Sequence, residues 1–194
     1  QAGESSIVKN AHLINGGLPP DLSDKTDFFF LKRPSADKAV DTIVDLCAER
    51  LPNNMGIAPA QIQVLSPTRR NLAGTENLNA RLQEALNPGA KHKKEKNYGE
   101  TVFREGDKVM QIRNNYDIIW RGADGYSAGA GVYNGDIGYI REIDFVHETL
   151  TVDYEDKLVT YLFEQLSELE PAYALTVHKS QGSEFRAVIL ACTS

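Results

Sequence analysis

The spacing of apolar residues predicts an amphipathic helix in the first third of the chain. Within residues 35–51, apolar side chains recur every three or four positions, which places them on one helical face. These residues are Val40, Ile43, Val44, Cys47 and Leu51. Ser35 or Asp37 can cap the helix at its N-terminus, and Pro52 is expected to end it.

A strand and a second helix are predicted next. Residues 61–65 form a short β-prone run that stops at Ser66-Pro67, which predicts a strand leading into a loop. Thr75 can then cap a helix that ends at 87–89 and carries its apolar residues on one face. The order helix, strand, loop, helix is typical of a layered α/β domain.

From about residue 106 the pattern changes to short β-rich runs between turn signals. The predicted strands are 108–113, 117–120, 137–145, 150–154 and 157–162. Among the turn signals, Asn-Gly at 134–135 favours a tight hairpin, because both residue types tolerate a positive φ. Strands of this length and spacing predict a small antiparallel barrel.

Strand patterns with an α/β character return at the C-terminal end. Residues 172–177 have the pattern of a strand, and 187–192 are continuously apolar, as expected of a strand covered on both faces. The barrel, 103–168, is therefore predicted to be inserted into an α/β domain formed by 1–102 and 169–194. The predicted fold class is α/β, a parallel sheet domain with an inserted small antiparallel β-barrel.

The composition is that of an ordinary soluble globular protein, with 41% hydrophobic and 25% charged residues. No apolar run approaches the roughly 18–20 residues that span a bilayer, and the N-terminus lacks the order of a signal peptide. We therefore expect a cytoplasmic protein with no membrane partner. Because autonomous DNA-binding domains are usually basic, the net charge of −6 requires any nucleic-acid contact to rest on a local patch or a larger parent protein.

The cysteines and histidines do not have metal-ligand spacing. Cys47 and Cys192 lie far apart in apolar surroundings, and the four histidines are scattered along the chain. We expect two reduced core thiols and no metal site.

Two predicted strands end in polar loops, 66–70 and 178–184. In open α/β sheets, ligands bind beyond the carboxyl ends of the strands. If the two strands are parallel neighbours, the loops form one edge that suits a polyanion. Arg70 can hold a phosphate with two hydrogen bonds, and Gly182 lets the backbone approach it. Glu184 would repel phosphate and is better placed on a sugar hydroxyl.

The same residues have simpler interpretations. The two arginines can be surface cations and the glycine can merely turn the chain, and spacing alone does not decide between these readings. A hydrolytic site built from His178, Ser180 and Glu184 is disfavoured, because residues so close in sequence rarely form a nucleophile, a base and an orienting group.

A phosphate-cradling Gly-x-x-x-x-Gly-Lys-Ser/Thr loop is absent from the sequence. The chain therefore lacks the motif that binds ATP and Mg²⁺ on its own. Any nucleotide site to which it contributes must be completed elsewhere.

Several segments resemble one protein family. Residues 172–185 read AYALTVHKSQGSEF, and residues 64–70 read VLSPTRR ahead of a helix. These two segments resemble motifs V and IV of superfamily 1 helicases of the RecD and conjugative-relaxase branch. Segments 106–117 and 132–138 resemble the Src-homology-3-like barrel inserted in those helicases, and 6–12 resembles the segment after motif III.

The resemblance implies a RecA-like (P-loop NTPase-type) fold for the α/β part. The family's motor has two such domains, with ATP and Mg²⁺ in the cleft between them, and moves along single-stranded DNA, typically 5′ to 3′. Carried onto this sequence, it implies that Arg70 is catalytic and lies near the γ-phosphate. It also implies that Gly182 and Glu184 bind on the ATP side.

The DNA-binding residues implied by the resemblance lie in the same two loops. Thr176, His178 and Lys179 are expected to face DNA, and Ser66 and Thr68 to touch its phosphate backbone. The implied partners are single-stranded DNA, a first RecA-like domain of the same chain and other subunits of a helicase–nuclease complex. Within the family the chain is close to the exodeoxyribonuclease V alpha subunit, which implies DNA repair and recombination.

The ends of the sequence, Gln1 and Ser194, lead us to expect a C-terminal motor fragment that is inactive alone and binds no cofactor tightly. Asn71 stands where the family usually has glycine, which puts the loop after Arg70 in question. A rival hypothesis is a non-catalytic module in which the barrel binds nucleic acid or protein through aromatic residues, although the same residues can be core. The candidates are Tyr116, Trp120, Tyr126, Tyr133 and Tyr139.

Overall fold

The computed structural model of the protein describes residues 5–23 and 25–192. It divides into two units, residues 1–35 and residues 36–194, which are described separately. The first unit has one helix, α1 (Ser6–Asn15), followed by chain without regular structure in its described part.

The chain after α1 is fastened back to the helix by polar side chains. The Asn10 amide donates to the carbonyl of Asp21 at 3.0 Å and accepts from the Asp21 backbone N–H. Lys9 pairs with the Asp21 carboxylate at 2.7 Å, and this contact lowers the pKa of that carboxyl.

The second unit begins with a continuous helical run. It consists of α2 (Ala36–Asp45), a π-helical turn (Leu46–Arg50) and α3 (Leu51–Met55). The predicted helix is confirmed, with Val40, Ile43 and Cys47 buried. The prediction that Pro52 ends it is wrong, because the wider π turn before the proline pairs the Leu51 N–H with the Leu46 carbonyl, and the helical run continues through Pro52, which has no N–H to place. The run ends instead at Gly56, whose φ is +62°.

The strands of the second unit fall into three sheets. In chain order they are β1 (Ile62–Ser66), β2 (Glu95–Tyr98), β3 (Thr101–Arg104), β4 (Lys108–Gln111), β5 (Asn115–Gly122), β6 (Ala128–Val132), β7 (Ile137–Asp144), β8 (Thr149–Tyr154), β9 (Lys157–Leu162), β10 (Leu169–Pro171), β11 (Ala174–Thr176) and β12 (Ala187–Leu190). Short 3₁₀ turns cover Pro59–Gln61, Phe163–Glu168 and Val177–Ser180.

The first sheet is parallel, in the order β11-β1-β12. It confirms the strands predicted near residues 61–65, 172–177 and 187–192. The expectation that the last strand is covered on both faces is wrong: Val188 is 50% and Leu190 53% exposed. In the described sheet β12 pairs with β1 alone, so its residues alternate between a packed and an open face.

Helix α4 (Thr75–Leu86) packs Leu78 and Leu82 into the core beside this sheet. Its N-cap is Gly74, so the prediction that Thr75 caps it is wrong. A Cβ on Gly74 would lie 2.4 Å from the Arg69 carbonyl oxygen, so the loop packs too closely for a side chain there. The first amides of α4 donate to loop carbonyls instead of a capping side chain.

The second sheet is antiparallel, in the order β10-β4-β7-β8-β9-β5-β6, and packs its own hydrophobic core. The five strands predicted between 108 and 162 are present. Strand β6 contains Gly129, in a glycine-rich stretch whose composition is typical of a turn. A Cβ there would lie 2.4 Å from the Trp120 ring, so the missing side chain makes room for the indole. The hairpin predicted at 134–135 is absent, because β6 pairs with β5, whereas β7 pairs with β4 and β8.

The third sheet is the hairpin β2-β3, which the sequence analysis missed. Asp107, which lies between β3 and β4, joins several elements. The Asp107 carboxylate is buried and accepts four hydrogen bonds: from the side chains of Asn87, Gln83 and Tyr173 and from the backbone N–H of Arg104. Burial raises the pKa of Asp107 in spite of these donors. Helix α4, the hairpin, β4 and the segment leading to β11 therefore meet at one carboxylate.

Candidate functional site

The two polar loops leave the same edge of the parallel sheet. Strands β1 and β11 are hydrogen-bonded neighbours, and Ser66 lies opposite Thr176, the last residue of each strand. The loop that leads to Arg70 and the loop that leads to Gly182 therefore begin side by side. This is the arrangement that the sequence analysis required for a shared ligand.

The hydroxyl groups of the first loop face inward. Ser66 is buried, and its Oγ donates to the Ala73 carbonyl at 2.8 Å and accepts from the Thr68 backbone N–H at 3.3 Å. The Oγ1 of Thr68 is buried and has no hydrogen-bond partner within 5–23 and 25–192. In this conformation the Ser66 hydroxyl holds the loop closed rather than facing solvent.

The two arginines of the loop differ in their surroundings. Arg69 lies 3.5 Å from the Glu170 carboxylate and 3.9 Å from that of Glu76. Arg70 is exposed and makes no ion pair with any carboxylate of the described residues. Of the two, Arg70 is the guanidinium available to an external anion.

The backbone after Arg70 is strained. Asn71 has a φ of +152°, a region that favours glycine because a side chain crowds the backbone there. The glycine that the resemblance predicts at this position would adopt this conformation without strain. The loop therefore keeps a glycine-like path although its residue is asparagine.

The second loop presents its candidate residues on a short turn. Thr176 is half-buried at the end of β11, and His178 and Lys179 follow on the 3₁₀ turn, with His178 exposed. Gly182 has a φ of +84° and open space around its Cβ position, and Glu184 is exposed. An approaching phosphate would meet backbone rather than a side chain at Gly182.

Glu170 links the two loops, and sequence reasoning missed it. One carboxylate oxygen accepts from Arg69 of the first loop, and the other accepts from Lys179 of the second at 2.5 Å. Glu170 belongs to β10 of the antiparallel sheet, which pairs with β4. A single acidic residue before Pro171 carries no sequence signal for such a role.

Asn79 fixes the open side of β11 and was also missed. Its side-chain amide donates to the Ala174 carbonyl at 2.9 Å and accepts from the Ala174 N–H at 2.8 Å. The amide thereby supplies the hydrogen bonds that a further strand would make. Helix α4 thus holds β11 in position through Asn79, and with it the start of the loop that carries Lys179.

These elements enclose an open groove of about 320 Å³. Its walls include Arg69, Asn79, Glu170, Thr176 and Lys179. Hydrogen-bonding groups and charges of both signs line it, with carboxylates outnumbering cations, so the groove suits a polar ligand.

The remaining candidate groups lie away from this edge. Cys47 is buried as predicted, and burial raises the pKa of its thiol to about 12. Cys192 is exposed, so the prediction of a core thiol there is wrong. Among the described residues, no cluster of three metal-binding side chains is found, and no helix is long and apolar enough to cross a membrane.

Comparison with known proteins agrees with this layout. Residues 78–154 match the model of the ATP-dependent RecD-like DNA helicase SH3 domain, and residues 171–194 match that of the UvrD-like helicase C-terminal domain. The first match covers most of the antiparallel sheet, and the second covers β11, the loop with Lys179, and β12.

Individual relatives show the same likeness. The ATP-dependent RecD2 DNA helicase of Deinococcus radiodurans is 30% identical over 97% of this chain, which spans 23% of the length of that helicase. An uncharacterized protein of Methanocaldococcus jannaschii is 28% identical over 81% of this chain and 14% of its own length. The crystal structure of Bacteroides Pif1 bound to ssDNA aligns with 96% of this chain and 42% of that chain at 14% identity and a TM-score of 0.47. The chain is therefore similar to RecD-like DNA helicases over nearly its whole length, through two matched domains, and spans about a quarter of the curated helicase that it matches.

Proposed function

We propose that the chain forms the second RecA-like domain of an ATP-dependent DNA helicase, with an inserted Src-homology-3-like barrel. The observation that carries the proposal is the pairing of Ser66 with Thr176, because it starts both polar loops at one edge of the sheet. In this proposal the RecA-like domain comprises 1–102 and 169–194, and the barrel comprises 103–168.

The nucleotide-binding part of the proposal rests on Arg70, Gly182 and Glu184. Arg70 is an exposed guanidinium with no ion pair among the described residues, and it can stabilise charge on the γ-phosphate. The open backbone at Gly182 can approach a phosphate, and Glu184 can accept from a sugar hydroxyl. Transfer of the γ-phosphoryl group of ATP to water would supply the free energy, Mg²⁺ would neutralise phosphate charge, and a first RecA-like domain with a phosphate loop would complete the site.

The DNA-binding part rests on Thr176, His178 and Lys179, which follow one another at the end of β11. Ser66 and Thr68 are weaker candidates, because their hydroxyls face the loop interior. Since the second loop carries both DNA-facing and ATP-facing residues, closure of the two RecA-like domains changes the grip on single-stranded DNA. Repeated closure moves the motor along the strand, 5′ to 3′ as in the family.

The parent protein acts on DNA in the cytoplasm, in repair or recombination, as an exodeoxyribonuclease V alpha subunit with partner subunits or as a separate RecD-like helicase. The chain by itself is inactive and binds no nucleotide tightly, because the phosphate-cradling motif is absent from its sequence.

Unwinding assays on the full-length protein test this function. Arg70→Ala is expected to abolish ATP-stimulated unwinding and to leave single-stranded DNA affinity close to wild type. Arg141→Ala removes another exposed arginine, from β7 of the antiparallel sheet, and serves as the matched control. Normal unwinding by the Arg70 variant would exclude the proposed role.

The exposed aromatic residues of the antiparallel sheet favour a second candidate, a nucleic-acid-binding module. Tyr116 and Tyr133 form an edge-to-face pair with ring centroids 5.8 Å apart, and both are exposed. Tyr126 is 96% exposed. Such rings can stack on bases of single-stranded nucleic acid.

Substitution of the tyrosine pair separates the two functions. A binding module predicts that Tyr116→Ala with Tyr133→Ala removes most single-stranded DNA affinity. The motor proposal predicts that Lys179→Ala weakens binding more than the tyrosine pair does. Tyr98→Ala, on the separate hairpin strand β2, controls for loss of an exposed ring.

A further inference from the structure

The Glu170 carboxylate forms ion pairs with two cations, Arg69 and Lys179, at the loops after β1 and β11. It contacts Lys179 through one oxygen and Arg69 through the other, at 2.5 and 3.5 Å. Lys179 carries one of the charges that the proposed function assigns to DNA binding. In the structure this charge is already neutralised by a carboxylate of the same chain.

The acid is held by backbone hydrogen bonds, whereas the cations lie on loops. Strand β10 pairs with β4, with Glu170 opposite Met110, and the flanking residues are bonded to the same sheet. Arg69 and Lys179 extend from the loops after β1 and β11. A ligand can therefore draw the cations away from Glu170 without disturbing a strand.

The ion pairs are weak enough to be exchanged. The side chains of Lys179 and Glu170 are 28% and 29% exposed, and that of Arg69 is 57% exposed. Ion pairs with this access to water contribute little net free energy, because each charge is also well solvated alone. A DNA phosphate offers the same cations a comparable or stronger partner.

We propose that Glu170 competes with the DNA phosphate for Lys179 and Arg69, and so limits the affinity for single-stranded DNA. The inference rests on the proposed function, since it requires DNA to reach Lys179. Each binding event exchanges a carboxylate–ammonium contact for a phosphate–ammonium contact. Dissociation restores the internal pair, which favours release of the strand.

The test is the affinity of the full-length protein for a labelled oligothymidylate, measured by fluorescence anisotropy across a salt series. Glu170→Gln keeps the shape of the side chain and removes its charge. It is expected to tighten binding about fivefold, the order of one exposed ion pair. An unchanged or weakened affinity overturns the proposal, and a weakened one shows that Glu170 positions the cations instead.

Glu164→Gln is the matched control for net charge. Glu164 is an exposed acid in the 3₁₀ turn before β10 and has no ion pair among the described residues. If both variants tighten binding equally, the gain comes from the loss of one negative charge on the protein, and a local competition at Lys179 and Arg69 is excluded.

A double-mutant cycle with Lys179→Ala separates this inference from the function on which it rests. The gain from Glu170→Gln is expected to shrink toward the control value when Lys179 is absent, because the two residues act on each other. If Lys179→Ala alone leaves DNA affinity unchanged, the proposed DNA-binding role fails. If it weakens binding while Glu170→Gln behaves like wild type, only the competition fails.

Discussion

The hydroxyl of Tyr173 donates a hydrogen bond to the buried carboxylate of Asp107 at 3.0 Å. This contact ties the segment leading into β11 to the start of β4, and through Asp107 to helix α4 and the β2-β3 hairpin. The position of the loop with Lys179 therefore depends on the hydrogen bonds to Asp107, which is distant from that loop in sequence.

Asp107→Ala is expected to lower the free energy of unfolding by about 3 kcal/mol, because it leaves several buried donors without a partner. Tyr173→Phe removes a single donor and should cost about 1 kcal/mol. Urea denaturation measures both values. Asp117→Ala, at an exposed position of β5, should change stability by less than about 0.5 kcal/mol. Equal losses of unfolding free energy at Asp107 and Asp117 would contradict a stabilising role for the hydrogen bonds to Asp107.

Asn71→Gly is expected to stabilise the protein by about 1 kcal/mol. Glycine relieves the strain at a φ of +152°, and this gain exceeds the larger backbone entropy that glycine brings to the unfolded chain. Thermal and urea unfolding check the sign. Asn97→Gly in strand β2 is the control and should be destabilising, since no positive φ is relieved there. Destabilisation at both positions would show that Asn71 is not strained.

The buried Lys108 makes the free energy of unfolding depend on pH. Its ammonium is buried, bonded to the Gln63 side chain at 3.0 Å, and burial lowers its pKa to about 8 from 10.5. Between these values the unfolded chain binds the proton and the folded chain does not, so stability rises with pH. Below about pH 8 both states are protonated and the folded state carries the full cost of the buried charge.

Chemical denaturation at several pH values tests this assignment. From about pH 8 to 9, wild type should gain up to about 1.4 kcal/mol per pH unit relative to Lys108→Met. The comparison stops near pH 9 because of Cys47. Its pKa is raised by burial, so above that pH the unfolded thiol loses its proton before the folded one, and stability falls as pH rises. Parallel pH profiles for the two proteins would rule out a depressed lysine pKa.

Gly129→Ala is expected to destabilise the antiparallel sheet by about 2 kcal/mol, because the new methyl group overlaps the Trp120 ring. Trp120 is the only tryptophan in the sequence, so its fluorescence reports the displacement directly. Gly16→Ala, where a Cβ meets only ordinary contacts, should leave the emission unchanged. An unshifted spectrum in the Gly129 variant would mean that the ring does not pack there.

The sequence predicted the site's framework because strand ends and polar loops leave local signals. The run at 61–65 and the loop after it were recognisable from β-prone residues followed by Ser66-Pro67. The adjacency of Ser66 and Thr176 was a condition of the hypothesis and not a result of it, since residues 110 positions apart carry no local sign of pairing.

The features that were missed depend on tertiary contacts. Glycines 129 and 131 have the composition of a turn, yet they form an edge strand because Trp120 fills the space above Gly129. Glu170 becomes informative only when β10 brings it between two loops. In the same way, Pro52 alone predicts a helix end, because the π turn before it has no composition signature.

The split of the parallel sheet has a consequence for biosynthesis. Gln63 donates to the carbonyl of Tyr173, 110 residues further along the chain, and every strand of the antiparallel sheet lies between them. During translation β1 emerges long before either strand that flanks it, so the backbone N–H and C=O groups along its two edges stay unpaired while the intervening segment is synthesised. Closure of so long a loop makes the parallel sheet the slow, late step of folding, and the stretch around 62–65 a natural binding site for chaperones.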